Sequence, residues 1–146
     1  MIIVDSREKK WKHIERYFKK NKIDYRVQKL DVGDFALEGV ERVVIDRKAD
    51  LVELSSNLTN KSDSARFWRE VRRAKERGTK LIILCEHGHG IQKPADVIGW
   101  QNEFTHVSGH KLMDEMFRLQ MAYGVDFQFC DRKETAQKIL EILGYL

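Results

Sequence analysis

Short apolar runs alternating with longer stretches of helical periodicity place this chain in the α/β class, with helices on both faces of a central mixed sheet. Two further observations support that reading. The apolar runs 33–37 and 40–47 are separated only by Glu38-Gly39, a tight turn, so they form an antiparallel hairpin and make the sheet mixed. The 146 residues are 42% hydrophobic with a single proline, which suits one domain with a substantial core and no linker. No internal repeat or low-complexity tract interrupts it.

The elements follow in order. Met1 to Val4 is apolar and runs straight into Asp5, giving a strand at 1–5. Trp11, Ile14 and Phe18 recur at helical spacing and form the buried stripe of a helix at 9–21. Strands at 24–29, 33–37 and 40–47 come next, then a helix at 50–58 whose first turn is favoured by the charge of Asp50. A polar loop leads to a helix at 63–77, on which Phe67, Val71 and Ala74 share one face. The run 80–85 is a strand, followed by a Gly/His-rich loop, a helix at 109–123 and a strand at 126–130. The last helix, 132–143, opens on Asp131 and Glu134 at capping-box spacing.

The hairpin carries the first functional signal. Folding it sets Asp34 across from Asp46, and strand alternation points Asp46 and Lys48 to the same side. Two carboxylates suit a hard divalent cation with oxygen ligands, and a neighbouring ammonium offsets charge developing on a phosphate. A lone Asp-x-Lys is common and is usually solvated surface. Here, however, Val43, Val44 and Ile45 lead directly into Asp46, and charges that end a buried strand are costly unless paired or metal-bound. The first strand also ends in carboxylates, Asp5 and Glu8, so the two strands outline the rim of one site.

Taken together, Val4-Asp5-Ser6-Arg7-Glu8, then Val32-Gly33-Asp34, then Ile45-Asp46-Arg47-Lys48 resemble the XPF-type structure-specific DNA endonucleases. The resemblance continues through Arg66-Phe67 to Val71-Arg72-Arg73, the strand Leu81 to Leu84 with Glu86, and Glu134-Thr135-Ala136-Gln137. It implies a three-layer restriction-endonuclease-like fold, and 1–146 as a single nuclease domain without the helix-hairpin-helix module that such enzymes commonly add. The implied activity is hydrolysis of phosphodiester bonds in branched DNA such as flaps and forks, dependent on Mg²⁺ or Mn²⁺, in repair, recombination or replication. Asp34 and Asp46, with the Arg47 carbonyl, are expected to hold the metal, and Asp5 completes the acidic centre. Lys48 orients the attacking water, Arg7 contacts phosphate and Glu8 assists water or metal positioning. Asp5, Arg7, Glu8, Asp34, Asp46, Arg47 and Lys48 are therefore the candidate catalytic set.

Two departures from the family pattern stand out. Asp46 replaces the usual Glu, shortening the carboxylate's reach by one methylene. The acid expected four residues beyond Lys48 is absent, because that position is Val52, with Asp50 and Glu53 as possible substitutes.

Charge distribution is informative about partners. The net charge of +4 conceals two basic helices: Lys9 to Lys22 carries seven Lys or Arg against one acid, and Lys61 to Lys80 eight against three. Such helices flanking an acidic centre suit a polyanion, although a solvated helix face explains the first equally well. On the second, Arg66, Glu70, Arg73 and Arg77 form a stripe beside the apolar face, and Arg66, Arg73 and Arg77 are assigned to DNA binding. Trp68 projects from another side, as a base-stacking platform, a partner contact or a packed ring.

Other readings compete. His87, His89, His106 and His110 include one i, i+4 pair suited to zinc, but Ser108-Gly109 interrupts the helix between its members and no Cys-x-x-Cys or His-Glu-x-x-His frame is present. A Gly/His loop beside the site fits better. Cys85 and Cys130 read as small buried residues of a reduced intracellular protein, with a single disulfide as the alternative. No apolar stretch is long enough to cross a membrane, and the chain enters a strand at once rather than a signal peptide. The family's pairing through C-terminal helices suggests a homodimer through Leu112, Met116, Leu119, Ala122 or Tyr123 with Ile139, Ile142 and Leu143, against packing of these residues on their own sheet. Two functional alternatives stay open: a non-catalytic DNA-binding scaffold subunit, and a junction resolvase or restriction-type nuclease on the same core.

Overall fold

The structure is a computed structural model and describes residues 1–88 and 90–145. Six strands form one sheet: β1 (Ile2–Val4), β2 (Tyr25–Val27), β3 (Phe35–Leu37), β4 (Val40–Lys48), β5 (Lys80–Cys85) and β6 (Asp126–Phe129), in spatial order β2-β1-β3-β4-β5-β6. The sheet is mixed: β3 runs antiparallel to both β1 and β4, whereas β1–β2, β4–β5 and β5–β6 are parallel. Helices cover both faces, as the sequence predicts. On one lie α2 (Leu51–Thr59), α3 (Lys61–Glu76) and α4 (Gly109–Tyr123); on the other lie α1 (Lys12–Lys20) and α5 (Thr135–Leu143). Among the described residues no helix is long and apolar enough to cross a membrane.

Strand alternation divides the core. Ala36, Val44, Leu81 and Ile83 pack with Leu54, Phe67, Val71 and Met116 on the α2–α3–α4 face. Phe35, Ile45 and Leu84 pack with Ile14, Phe18, Ile139 and Leu140 on the α1–α5 face. Strands covered on both sides read as continuous apolar runs, which is why Leu81 to Cys85 shows no polar alternation.

Several expectations are corrected. The first helix begins at Lys12, because Lys10 adopts a left-handed backbone, φ 55°, that cannot continue a helix. Trp11 instead packs edge-on against Tyr25 and Phe35. Asp131 makes no side-chain cap; a 3-10 turn over Arg132–Glu134 leads into α5. Cys85 and Cys130 are free thiols buried on opposite faces of the sheet, so the disulfide alternative falls away. Of the residues named for a dimer face, Leu112, Met116, Leu119, Ile139 and Leu143 are buried in the chain's own core, whereas Ala122, Tyr123 and Ile142 are not fully buried. Trp68 is a packed ring, edge-on to Tyr123 at 5.3 Å.

Candidate active site

β4 sorts its charged end by alternation. Val44 faces α2 and α3 and Ile45 faces α1 and α5, so Asp46 and Lys48 continue the first side and Arg47 the second. All three are buried.

Pairing of Phe35 with Ile45 puts Asp34 opposite Asp46, as the hairpin reading requires. Two bonds fix Asp34: its N–H donates to the Ile45 carbonyl at 2.6 Å, and its Oδ2 accepts from the Arg47 N–H at 2.8 Å. Gly33 makes this approach possible. It has φ +78°, and a Cβ there would stand 2.9 Å from the Ile45 oxygen. The Lys48 ammonium sits 3.1 Å from Asp46 Oδ1, donates to Asn57 Oδ1 at 2.6 Å and lies over the Phe67 ring. Burial works against its charge, but Asp46 and Asp34 outweigh burial and raise its pKa. Lys48 is thus a permanent cation and donor.

Glu70 on α3 joins this group. Its carboxyl pKa is pushed up to about 8, first by burial and then by Asp46, with which it shares a hydrogen bond; Lys48 and the Gly33 N–H pull the other way. Its Oε1 is buried without a hydrogen-bond partner among the described residues. Burial, Asp46 and Glu8 also hold Asp34 well above the usual carboxylate range. A pocket of about 300 Å³ is lined by Glu8, Asp34, Asp46, Lys48, Asn57 and Glu70, with Arg47, Glu53, Asp63, Arg66 and Phe67 completing its walls.

The other predicted residues stand around this pocket. Arg47 turns to the α1–α5 face, where it forks onto Glu8, contacts Glu86 and donates to the Lys9 carbonyl. Glu86 also accepts from Thr135 at 2.8 Å and lies 2.7 Å from His13 Nε2. Arg47 therefore fixes Glu8 at the pocket wall rather than entering the Asp46–Lys48 group. Asp5 accepts from Arg7 and from the Leu30 N–H, and lines a neighbouring cleft rather than the central pocket. Asp50 caps α2 by accepting the Glu53 N–H, and Glu53 accepts weakly from the Ala49 N–H while lining the pocket. Val52 packs against the core.

Arg66 and Arg73 line the cleft beside Asp5, together with Arg69, which the sequence reading missed. Arg73 donates to the Asp31 carbonyl and Arg77 pairs with the Asp31 carboxylate at 2.8 Å, so these two also brace the loop before Gly33. His106 lies outside α4, and His110 pairs with Asp114, so the i, i+4 pair does not form a site. His87 accepts from the Leu51 N–H at the start of α2; His89 lies outside the described residues.

No three His, Cys, Asp or Glu side chains among the described residues are arranged to hold a metal ion unaided. Magnesium does not need such a cage, since one or two carboxylates plus water and substrate phosphate suffice. The raised Asp34 and Glu70 and the orphaned Glu70 oxygen mark surplus negative charge that a cation would relieve. The donor set therefore fits a hard divalent ion.

No curated protein matches the sequence. Among solved structures, the chain is similar to XPF from Aeropyrum pernix, with TM-score 0.73 and 19% identity over 99% of this chain and 63% of that one. It is similar also to XPF from Aeropyrum pernix in complex with DNA, with TM-score 0.72, 19% identity and the same coverage, 99% and 63%. The chain thus spans less than two thirds of those solved chains, and at this identity the likeness establishes the restriction-endonuclease-like fold. The ERCC4 domain profile matches residues 4–142, nearly the whole length, and the chain belongs to the ERCC4 domain family.

Proposed function

We propose that this chain is a divalent-metal-dependent DNA endonuclease acting on branched DNA such as flaps and forks. The observation that carries the reading is the grouping of half-buried Asp34 with buried Asp46 and Lys48, two carboxylates to one ammonium, beside two apolar strands. Asp34 and Asp46 are the residues to hold Mg²⁺ or Mn²⁺. Such an ion supplies Lewis-acid polarisation of the phosphoryl oxygen and makes a nucleophile of water near neutral pH. Lys48, held charged by its two carboxylates, donates to a phosphoryl oxygen and offsets charge developing there. Glu70 keeps a proton on its carboxyl to about pH 8 and shares it with Asp46. Arg7, Arg66, Arg69 and Arg73 line the adjoining cleft and engage the strand's phosphates. Asp5 orients Arg7 rather than binding the ion.

Asp34→Ala and Asp46→Ala each lower Mg²⁺-dependent cleavage by about 10²–10³-fold, the scale of losing one preorganised electrostatic group, while metal-free DNA binding persists. Cleavage is measured on a panel of flap, fork, four-way and linear duplex DNA. Wild-type rates in both variants would remove the assignment.

Val52 supports a second reading, a DNA-binding scaffold subunit that does not cut, since a half-buried valine stands where the family carries an acid. Binding without cleavage on every member of the panel is its outcome.

A further inference from the structure

A cleft of about 260 Å³, lined in part by Glu8, meets the Arg66–Arg73 cleft at Arg7. It shares Glu8, Arg47 and Glu53 with the central pocket, so the two are continuous. Five basic side chains line it against three acidic ones. The acids are already engaged: Glu8 and Glu86 by Arg47, and Glu53 by the Ala49 N–H. Two of the bases are also engaged, Arg47 as described and Arg7 by Asp5 and the Leu30 carbonyl. Lys9, Lys10 and Arg132 remain, all exposed, with no ion-pair partner among the described residues.

Three separate devices bring these cations together. Lys9 follows Glu8, which Arg47 anchors. Lys10 is turned by its left-handed backbone, a conformation that costs a lysine about 1 kcal/mol or more and persists only where its surroundings impose it. Arg132 comes from the opposite end of the chain, on the 3-10 turn before α5, held in place by the Thr135–Glu86 bond. His13 nearby adds no charge near neutrality: burial, with Arg132 and Arg47, lowers its pKa although Glu86 opposes them.

We propose that Lys9, Lys10 and Arg132 form a second phosphate subsite, for a phosphate of the DNA strand displaced from the scissile one. This rests on the nucleic-acid reading above. The acidic pocket repels an unaccompanied polyanion, so the strand is held by cations in the clefts that adjoin it. The Arg66–Arg69–Arg73 wall supplies one set and this cleft the other, and the two meet at Arg7.

The test uses the full chain, a fluorescent fork DNA and EDTA, so that binding is read without cleavage. Lys9→Gln/Lys10→Gln/Arg132→Gln is compared with Lys19→Gln/Lys20→Gln/Lys22→Gln, which removes the same charge from the far end of α1 and the turn after it. The cleft variant is expected to bind roughly tenfold or more weakly than the control, with a salt slope shallower by about 2–3. Neutral methylphosphonate linkages, placed one at a time, give a second readout: one of them weakens the wild type but not the cleft variant. Losses no greater than the control's, with no such linkage, overturn the subsite. Probes with and without a 5′-phosphate separate the sources: equal affinity assigns an internal phosphate, and a gain abolished in the cleft variant assigns a terminal one. Intact binding without cleavage in Mg²⁺ overturns the nuclease reading and leaves the subsite standing. Intact cleavage with a control-like cleft variant overturns the subsite alone.

Discussion

Glu70 shows how position sets the behaviour of a carboxylate. Asp50 is an ordinary helix cap, whereas Glu70, buried against Asp46, keeps its proton to about pH 8 against an ordinary 4.5. The folded chain thus binds this proton more tightly than the unfolded chain. Without divalent cation, the stability linked to Glu70 is fully present below pH 4.5 and is lost as pH rises towards about 8. Asp46, Lys48 and the Gly33 N–H face the group and set the size of the effect. Thermal unfolding in EDTA is expected to show Glu70→Gln matching the wild type at pH 5 and exceeding it by several degrees at pH 8.5. Mg²⁺ should raise the wild-type midpoint more at pH 8.5 than at pH 5. Parallel pH profiles for the two proteins would show that Glu70 is not the titrating group.

At the level of elements, one largely buried polar network adds to the strand pairing and apolar packing that join β4, β5, α1 and α5. Arg47 of β4, Glu86 after β5, His13 of α1 and Thr135 of α5 meet there, with Glu8 at its outer end. Replacing Arg47 or Glu86 leaves a charge buried without its partner, which is far more costly than deleting an exposed pair. Glu86→Ala is expected to destabilise the chain by about 3–5 kcal/mol, read by urea denaturation, and to loosen Glu8. A loss under about 1 kcal/mol would mean that water replaces Glu86 freely. Packing constrains backbone as tightly elsewhere: a Cβ on Gly109 would collide with the Val97 carbonyl, so α4 docks on the 3-10 turn Pro94–Gly99 only with glycine there.

Across the whole molecule, the acidic pocket adjoins a basic wall built from distant parts of the chain. Arg66, Arg69 and Arg73 come from α3, and Arg7 from the segment after β1. Arg66→Gln/Arg69→Gln/Arg73→Gln should reduce the slope of log K against log salt by about 2–3 in fork-DNA titrations and weaken binding with little regard to sequence. An unchanged slope would mean that the strand does not follow this wall.

The layered sheet and the Asp34–Asp46–Lys48 group were legible in the sequence because their causes are local. A two-residue turn fixes a hairpin, period-two alternation fixes which residues share a face, and the Gly33-Asp34 step follows from both. Helix ends were less legible, since Lys10's left-handed backbone and the turn before α5 depend on what packs around them. Glu70 could be placed beside the apolar face of its helix, but nothing along the chain says that α3 lies over Asp46. Arg47 reads from its motif as one of three adjacent charges; only the α1–α5 layer gives it Glu8 and Glu86 as partners. The sequence by itself determined the strands, their hairpin and the carboxylates opposed across it. The tertiary structure alone decided Glu70, Arg69 and the Arg47 network, because contacts between remote elements are set by how layers pack, which no local periodicity encodes.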